Sequence, residues 1–204
     1  MNLTAFLNTR GIHSFDEGHS QQVPQQVEDL IRLTNAPNIT VLEIGFNAGH
    51  SAEVFLKNNP DLSLVSFDLG EYRYVSPGKE YIDATYPNRH TLIVGDSRNT
   101  IPAYIEKNKG TTFDFIFIDG GHDYDIAKTD IENCFHLAHK NTIVALDDTM
   151  FTPGWEQHYT IGPTQAWTEY IEQTKIMELG RNDYCAGRGM VWGKYSFATK
   201  HDYA

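Results

Sequence analysis

Val41-Leu42-Glu43-Ile44-Gly45-Phe46-Asn47-Ala48-Gly49-His50-Ser51-Ala52 is the stretch on which the fold turns. A short apolar run ends in an acid, two glycines four apart carry the chain round a tight turn, and a helix-compatible segment follows. A parallel strand that feeds a helix through a glycine-rich turn leaves free backbone N–H groups and a positive helix end at the carboxyl edge of a sheet. Such an edge holds a small ligand. A lone turn of this kind does not say which one.

The rhythm around this stretch sets the fold class. Apolar runs at Ile39–Ile44, Leu62–Phe67, Thr91–Val94, Phe113–Ile118 and Thr142–Leu146 predict five strands. Helical patterns separate them: Val23, Val27, Leu30 and Ile31 before the first, Ala52–Lys57 after it, and a segment opened by Ser76-Pro77 and closed by Pro87. Thr100–Lys107 and the face of Ala127, Ile131, Cys134 and Ala138 complete the alternation. Strands that are apolar throughout and alternate with helices form a doubly wound α/β sheet buried on both faces. Past residue 150 the pattern changes: a loop over 149–162 rich in Trp, His, Tyr, Gly and Pro, a helix over Pro163–Gln173, and strands over Ile176–Leu179 and Met190–Tyr195. Residues 1–19 read as polar and loosely patterned.

At 204 residues the chain suits one domain. A net charge of −11 opposes a nucleic-acid partner, which needs Lys and Arg against phosphate. Two cysteines, Cys134 and Cys185, point to a reduced compartment rather than a disulfide framework. No run approaches the ~20 apolar residues of a membrane span, and the first residues lack a signal-peptide pattern. The expectation is a cytoplasmic chain with no membrane partner; self-association into a homo-oligomer stays open.

The strands end in acids or glycines: Glu43 and Gly45, Asp68, Gly95 and Asp96, Asp119 and Gly120, Asp147 and Asp148. In an open parallel sheet these ends share one edge, where ligands bind at the switch in strand order. Acids crowded there repel one another, and their pKa values rise unless a positive group sits among them. A positive group is therefore implied.

With these acids in order, the chain resembles the class I S-adenosylmethionine-dependent methyltransferases over roughly residues 20–195. Leu42–Ser51 resembles the family's first motif and Ile118-Asp119-Gly120-Gly121-His122-Asp123-Tyr124 its fourth. The nearest subgroup by motif is the metal-dependent O-methyltransferases of macrolide and aminocoumarin sugars. The resemblance implies a Rossmann-like seven-stranded sheet, mostly parallel with the last strand antiparallel. It implies one domain over 1–204, divided into an N-terminal helical lid (1–37), a cofactor core (38–148), and an acceptor loop with C-terminal strands (149–204). The cofactor residues it implies are Glu43, Gly45, Asn47, Gly49, Ser51, Asp68, Asp96, Ser97, Asp119, His122 and Tyr124. Among them Asp68 would take the ribose hydroxyls, Asp96 and Ser97 the adenine, and Asp119 the sulfonium end.

The resemblance further implies a divalent ion, Mg²⁺ or Mn²⁺, on Asp119, Asp147 and Asp148, where hard oxygen ligands suit it. One geometric objection stands: adjacent strand residues face opposite ways, so both Asp147 and Asp148 can serve only if the strand breaks there. His122 and Asp119 are the expected catalytic pair. The sugar-modifying relatives often carry an acid where this chain has Gly121, which shifts the base role to His122, a group that titrates near neutrality. Trp155, His158, Tyr159 and Trp167 are candidates for the acceptor pocket, with a small molecule or glycan as acceptor. His13 and His19 stand where an N-terminal segment could close over the site. A nicotinamide dehydrogenase is disfavoured by the Gly45-x-x-x-Gly49 spacing. A binding module without chemistry would lack the second acidic cluster. The closest alternative is a metal-independent methyltransferase acting on nitrogen, in nucleic acid or protein, or on another small-molecule acceptor; a nucleic-acid amine methylase would carry an Asn/Asp-Pro-Pro-aromatic motif.

Overall fold

A computed structural model describes residues 1–197. Helix α1 spans Leu3–Thr9; a short turn of 3₁₀ helix at Ser20–Gln22 leads into α2 (Pro24–Leu33). Then β1 (Thr40–Ile44), α3 (His50–Asn58), β2 (Ser63–Asp68), α4 (Val75–Thr85), β3 (His90–Val94), α5 (Ser97–Lys107), β4 (Phe113–Ile118), α6 (Tyr124–Phe135) and β5 (Ala138–Asp147) alternate. Helix α7 (His158–Glu172), β6 (Ile176–Cys185) and β7 (Arg188–Tyr195) close the chain. The seven strands form one sheet in the order β3-β2-β1-β4-β5-β7-β6. Strands β1 to β5 pair in parallel with one another, and β7 runs antiparallel between β5 and β6. This is the sheet the motif resemblance implied.

The continuous apolar strands divide their residues between two faces, as period-2 geometry requires. Val41, Phe115 and Phe117 pack with Leu3, Leu7, Leu30 and Phe55 under α1 to α4. Leu42, Ile44, Ile116, Ile118 and Val144 pack with Ile101, Ile131 and Trp167 under α5 to α7. Strand order reverses between β1 and β4. The crevice beyond their carboxyl ends is therefore the place for a ligand.

Four local readings change. Residues 3–9 are helical because Asn2 Oδ1 accepts from Ala5 N–H and caps the turn while Leu3 and Leu7 are fully buried. Helix α7 begins at His158, not Pro163. The Thr160 hydroxyl accepts from the Gln157 N–H at 3.1 Å and starts the helix before the proline is reached. Ala138 leaves the helical face of α6 and opens β5. Strand β6 continues to Cys185 because β7 pairs with it along its whole length. Residues 198–204 of the expected C-terminal region lie outside the described residues.

Candidate active site

A cavity of about 520 Å³ opens at the carboxyl ends of the parallel strands. The first turn builds its floor. Gly45 (φ +95), Asn47 (φ +51) and Gly49 (φ +90) all take left-handed conformations. Gly45 N–H donates to the Phe67 carbonyl at 2.8 Å. A side chain at Gly45 would stand 1.8 Å from the Asp119 carbonyl oxygen, so only glycine lets β1 and β4 close on one another there. Asp68 locks the turn from the next strand: Oδ2 accepts from Asn47 N–H and Oδ1 from Gly70 N–H, each at 2.7 Å.

The predicted cofactor residues separate into two layers. Gly45, Asn47, Asp68, Asp96, Ser97, Asp119 and His122 line the cavity. Glu43, Gly49, Ser51 and Tyr124 do not line it. Glu43 is fully buried and accepts from the Ser51 and Ser66 hydroxyls, tying α3 to β2. Burial pushes its carboxyl up to about 7. Gly49 caps α3, and the Tyr124 hydroxyl donates to Glu169 on α7. These four support the lining from behind. The Asp96 carboxylate is paired with Arg98 at 2.6 Å and caps α5, although it lies at the cavity wall.

The other end of the cavity is acidic. Asp119 is held well above the usual carboxylate range, first by burial and then by Asp147 and Asp148. Asp147 is raised by burial and by Asp148. His122 faces Asp148, Nε2 to Oδ2 at 2.9 Å. This hydrogen bond is the first cause that lifts its imidazole above the ordinary value. With Nε2–H donating to the carboxylate, Nδ1 is the basic nitrogen of the ring.

Residues 16–19 cross the cavity from the N-terminal segment. Glu17 accepts from Asn47 Nδ2 at 3.3 Å and from the Tyr72 hydroxyl at 3.1 Å. His19 lines the cavity and stacks on His50 with ring centroids 3.7 Å apart, whereas His13 contacts Asn8 on the exposed surface. Of the aromatic candidates, His158 and Tyr159 line the cavity, and Tyr159 lies 5.6 Å from His122 between ring centroids. Trp167 is core and donates to Glu178, and Trp155 stands partly exposed outside the lining.

A family model described as a methyltransferase domain matches residues 42–149, from the strand before the glycine turn to just past the paired acids. The chain belongs to this family. No curated protein sequence matches it. Among solved structures it is similar in fold to an O-methyltransferase from Bacillus cereus in complex with SAH, at TM-score 0.73 and 18% identity over 95% of this chain and 90% of that one. The O-methyltransferase TomG of Streptomyces achromogenes, with bound SAM, aligns at TM-score 0.68 and 16% identity over 96% and 88% of the two chains. CalS11, a TDP-rhamnose 3′-O-methyltransferase of calicheamicin biosynthesis, aligns at TM-score 0.63 and 21% identity over 85% and 78%.

The methyltransferase's acidic end brings Asp119, Asp147 and Asp148, the suggested metal ligands, to one cavity. The objection about adjacent residues is met: Asp148 has φ +51, β5 stops at Asp147, and both acids line the cavity. One oxygen of each is engaged elsewhere. Asp147 Oδ2 accepts from Gln26 Nε2 at 2.6 Å, and Asp148 is bound to His122. A hard cation needs several oxygens at ~2.0–2.6 Å from one point. Among the described residues no group of three or more His, Cys, Asp or Glu is placed to supply them.

Arg188 is a positive group beside the crowded acids, and it offsets their repulsion only in part, since Asp119 and Asp147 stay raised. It lies on the cavity wall, and Asp119, Asp147 and Asp148 all hold its guanidinium in the charged form against the cost of burial. Its Nη2 is 3.5 Å from Gln26 Oε1, so one buried amide spans Arg188 and Asp147. Sequence reading missed both residues. The one available signal was the Gly187-Arg188-Gly189 triplet, since an arginine between glycines at the start of an apolar strand marks a close backbone approach. Also among the described residues, no helix is long and apolar enough to cross a membrane.

Proposed function

We propose that this methyltransferase carries a methyl group from S-adenosylmethionine to a hydroxyl of a small molecule or glycan, with a sugar hydroxyl as the leading acceptor. The observation that carries the reading is the His122–Asp148 pair at 2.9 Å, set at the far end of the cavity that the first-motif turn opens. Transfer to an oxygen is an in-line displacement at carbon. The enzyme must align oxygen, methyl carbon and sulfur, and take away the hydroxyl proton. His122 suits the second task because Asp148 fixes its tautomer and leaves Nδ1 free. The turn at Gly45–Gly49 and Asp68 suit the first by offering backbone N–H groups and a carboxylate to the cofactor.

Support for a sugar comes from the likeness to CalS11, and from His158 and Tyr159, which offer flat faces with polar edges at the same end of the cavity. The domain over 1–204 divides by task in this reading: 1–37 covers the cavity, 38–148 holds the donor, and 149–204 receives the acceptor. Nucleic acid is not the acceptor of a surface at −11. Calorimetry with S-adenosylhomocysteine and a radiolabelled methyl-transfer screen over glycosides, nucleotide sugars and small phenols test the reading. Binding and transfer to an oxygen are expected; no binding at all, or transfer only to amines, overturns it.

A further inference from the structure

We propose that Arg188 is the fixed cation of the acceptor site, holding the acceptor oxygen beside His122 so that methyl transfer proceeds without a divalent metal. The inference rests on the O-methyl-transfer reading above.

The position of Arg188 is set by the sheet rather than by a flexible loop. Asp147 pairs with Met190 across the β5–β7 ladder, and Thr149 N–H donates to the Gly189 carbonyl at 3.1 Å. The start of β7 is thereby pinned against the break in β5. A side chain at Gly189 would meet the Thr149 carbonyl oxygen at 2.3 Å, and one at Gly187 the Tyr159 hydroxyl at 2.4 Å. Both neighbours of Arg188 are bare, and its guanidinium lies on the wall of the cavity that His122, Asp148 and Tyr159 also line, with Nη1 beside Gly18 and Nη2 toward Gln26.

The guanidinium is also largely uncommitted. It has five N–H donors, yet among the described residues none lies within 4.0 Å of a carboxylate, and its one hydrogen bond is the long contact to Gln26. An arginine beside three acids that pairs with none of them has its donors available to a ligand. The ligand atom that needs them is the acceptor oxygen, which gains negative charge as its proton leaves.

Of the oxygens a metal ion would need, one on each of Asp147 and Asp148 is already taken, by Gln26 and by His122. It would also have to enter beside a permanent positive charge. The guanidinium stays protonated throughout. In the step itself the hydroxyl proton passes to His122 Nδ1, and the oxygen bonds to the methyl carbon. The carbon–sulfur bond breaks with its electron pair remaining on sulfur, which leaves S-adenosylhomocysteine.

The test begins with Mn²⁺, titrated into the full-length protein saturated with S-adenosylhomocysteine and followed by electron paramagnetic resonance. This arm needs no acceptor and reads apart from the transfer screen. Free Mn²⁺ up to millimolar concentration is the expected result; stoichiometric micromolar binding that Asp119→Asn abolishes would overturn the proposal. With an acceptor from the screen, turnover in chelator should stay within about twofold of the untreated rate, and Arg188→Met should lower kcat by ~10²–10³-fold with donor affinity held. Partial recovery in Arg188→Lys is expected. Loss of activity in chelator restored by Mg²⁺, or a near-normal Arg188→Met, counts against it. If Arg188→Met fails to bind S-adenosylhomocysteine, Arg188→Lys and the Mn²⁺ titration decide. Donor binding without transfer to any oxygen would sink the O-transfer reading and not the Mn²⁺ result.

Discussion

The two ends of the cavity are made in opposite ways. At the end proposed for the donor, consecutive residues 45–49 form the turn and one acid from the next strand locks it through a 2.7 Å bond to Asn47 N–H. At the end proposed for the acceptor, Gln26, His122, Asp148, Tyr159 and Arg188 come from five separate elements or their exits, and Gln26 and Arg188 are 162 positions apart. Backbone recognition needs only neighbours in sequence, since left-handed turns and free N–H groups are local products. Proton transfer needs side chains of different character within hydrogen-bond reach, and neighbours along a strand or helix seldom point to one place.

The largest effect that should separate the two ends is on turnover. His122→Ala is expected to lower kcat by ~10²–10⁴-fold with calorimetric affinity for S-adenosylhomocysteine unchanged; an equal loss of affinity would mean the ends are one site. The converse substitution is Asp68→Ala. One charge-assisted bond to the turn and one to Gly70 disappear, so donor affinity should fall ~10²-fold, while the pH dependence of the residual turnover stays where it was.

Asp148→Asn sharpens the comparison within the acceptor end. His122 acts as a base only when neutral, and the Asp148 hydrogen bond holds its pKa above the ordinary value. The rate should therefore climb with pH through that raised value. Without the carboxylate, the half-point of the pH–rate profile should move to lower pH and the plateau drop by roughly tenfold or more as the tautomer is no longer enforced. A profile that does not move would put the base elsewhere.

The smallest expected effect concerns the cover over the donor end. Burial is the first cause that lowers the stacked pair, His19 to about 4 and His50 to about 3. The unfolded chain takes up these protons near ~6.5, whereas the folded chain resists them, so stability present above that pH is lost as pH falls toward the folded values. The unfolding temperature should drop by a few degrees between neutral and mildly acidic solution, and His50→Phe, which keeps the stack without the charge, should lose less. Equal losses in both proteins would remove the pair from the account.

The strands were legible because a run such as Phe113–Ile118 has no stable place other than a sheet covered on both sides. The first-motif turn was legible for a related reason: Gly45 can be nothing else with the Asp119 carbonyl oxygen where it is. The exceptions are instructive. Residues 3–9 show little periodicity, and the Asn2 cap with the packing of Leu3 and Leu7 makes them helical. Glu43, Ser51 and Tyr124 carry the right chemistry for ligands and spend it on each other's neighbours behind the wall. Their distance from the cavity depends on side-chain direction, which motif spacing does not encode.

From the amino-acid sequence alone come the doubly wound sheet, the edge on which chemistry occurs, the acids that crowd it and the need for a positive charge among them. Local patterning suffices for these, since burial and turn geometry act on residues close in the chain. Which charge answers the acids was decided only in three dimensions. The sequence pointed to a bound cation on Asp119, Asp147 and Asp148. The tertiary structure adds Arg188 across the β5–β7 ladder and Gln26 from α2 to that corner. An ion pair or bridge has no sequence period, because its partners need only be near in space.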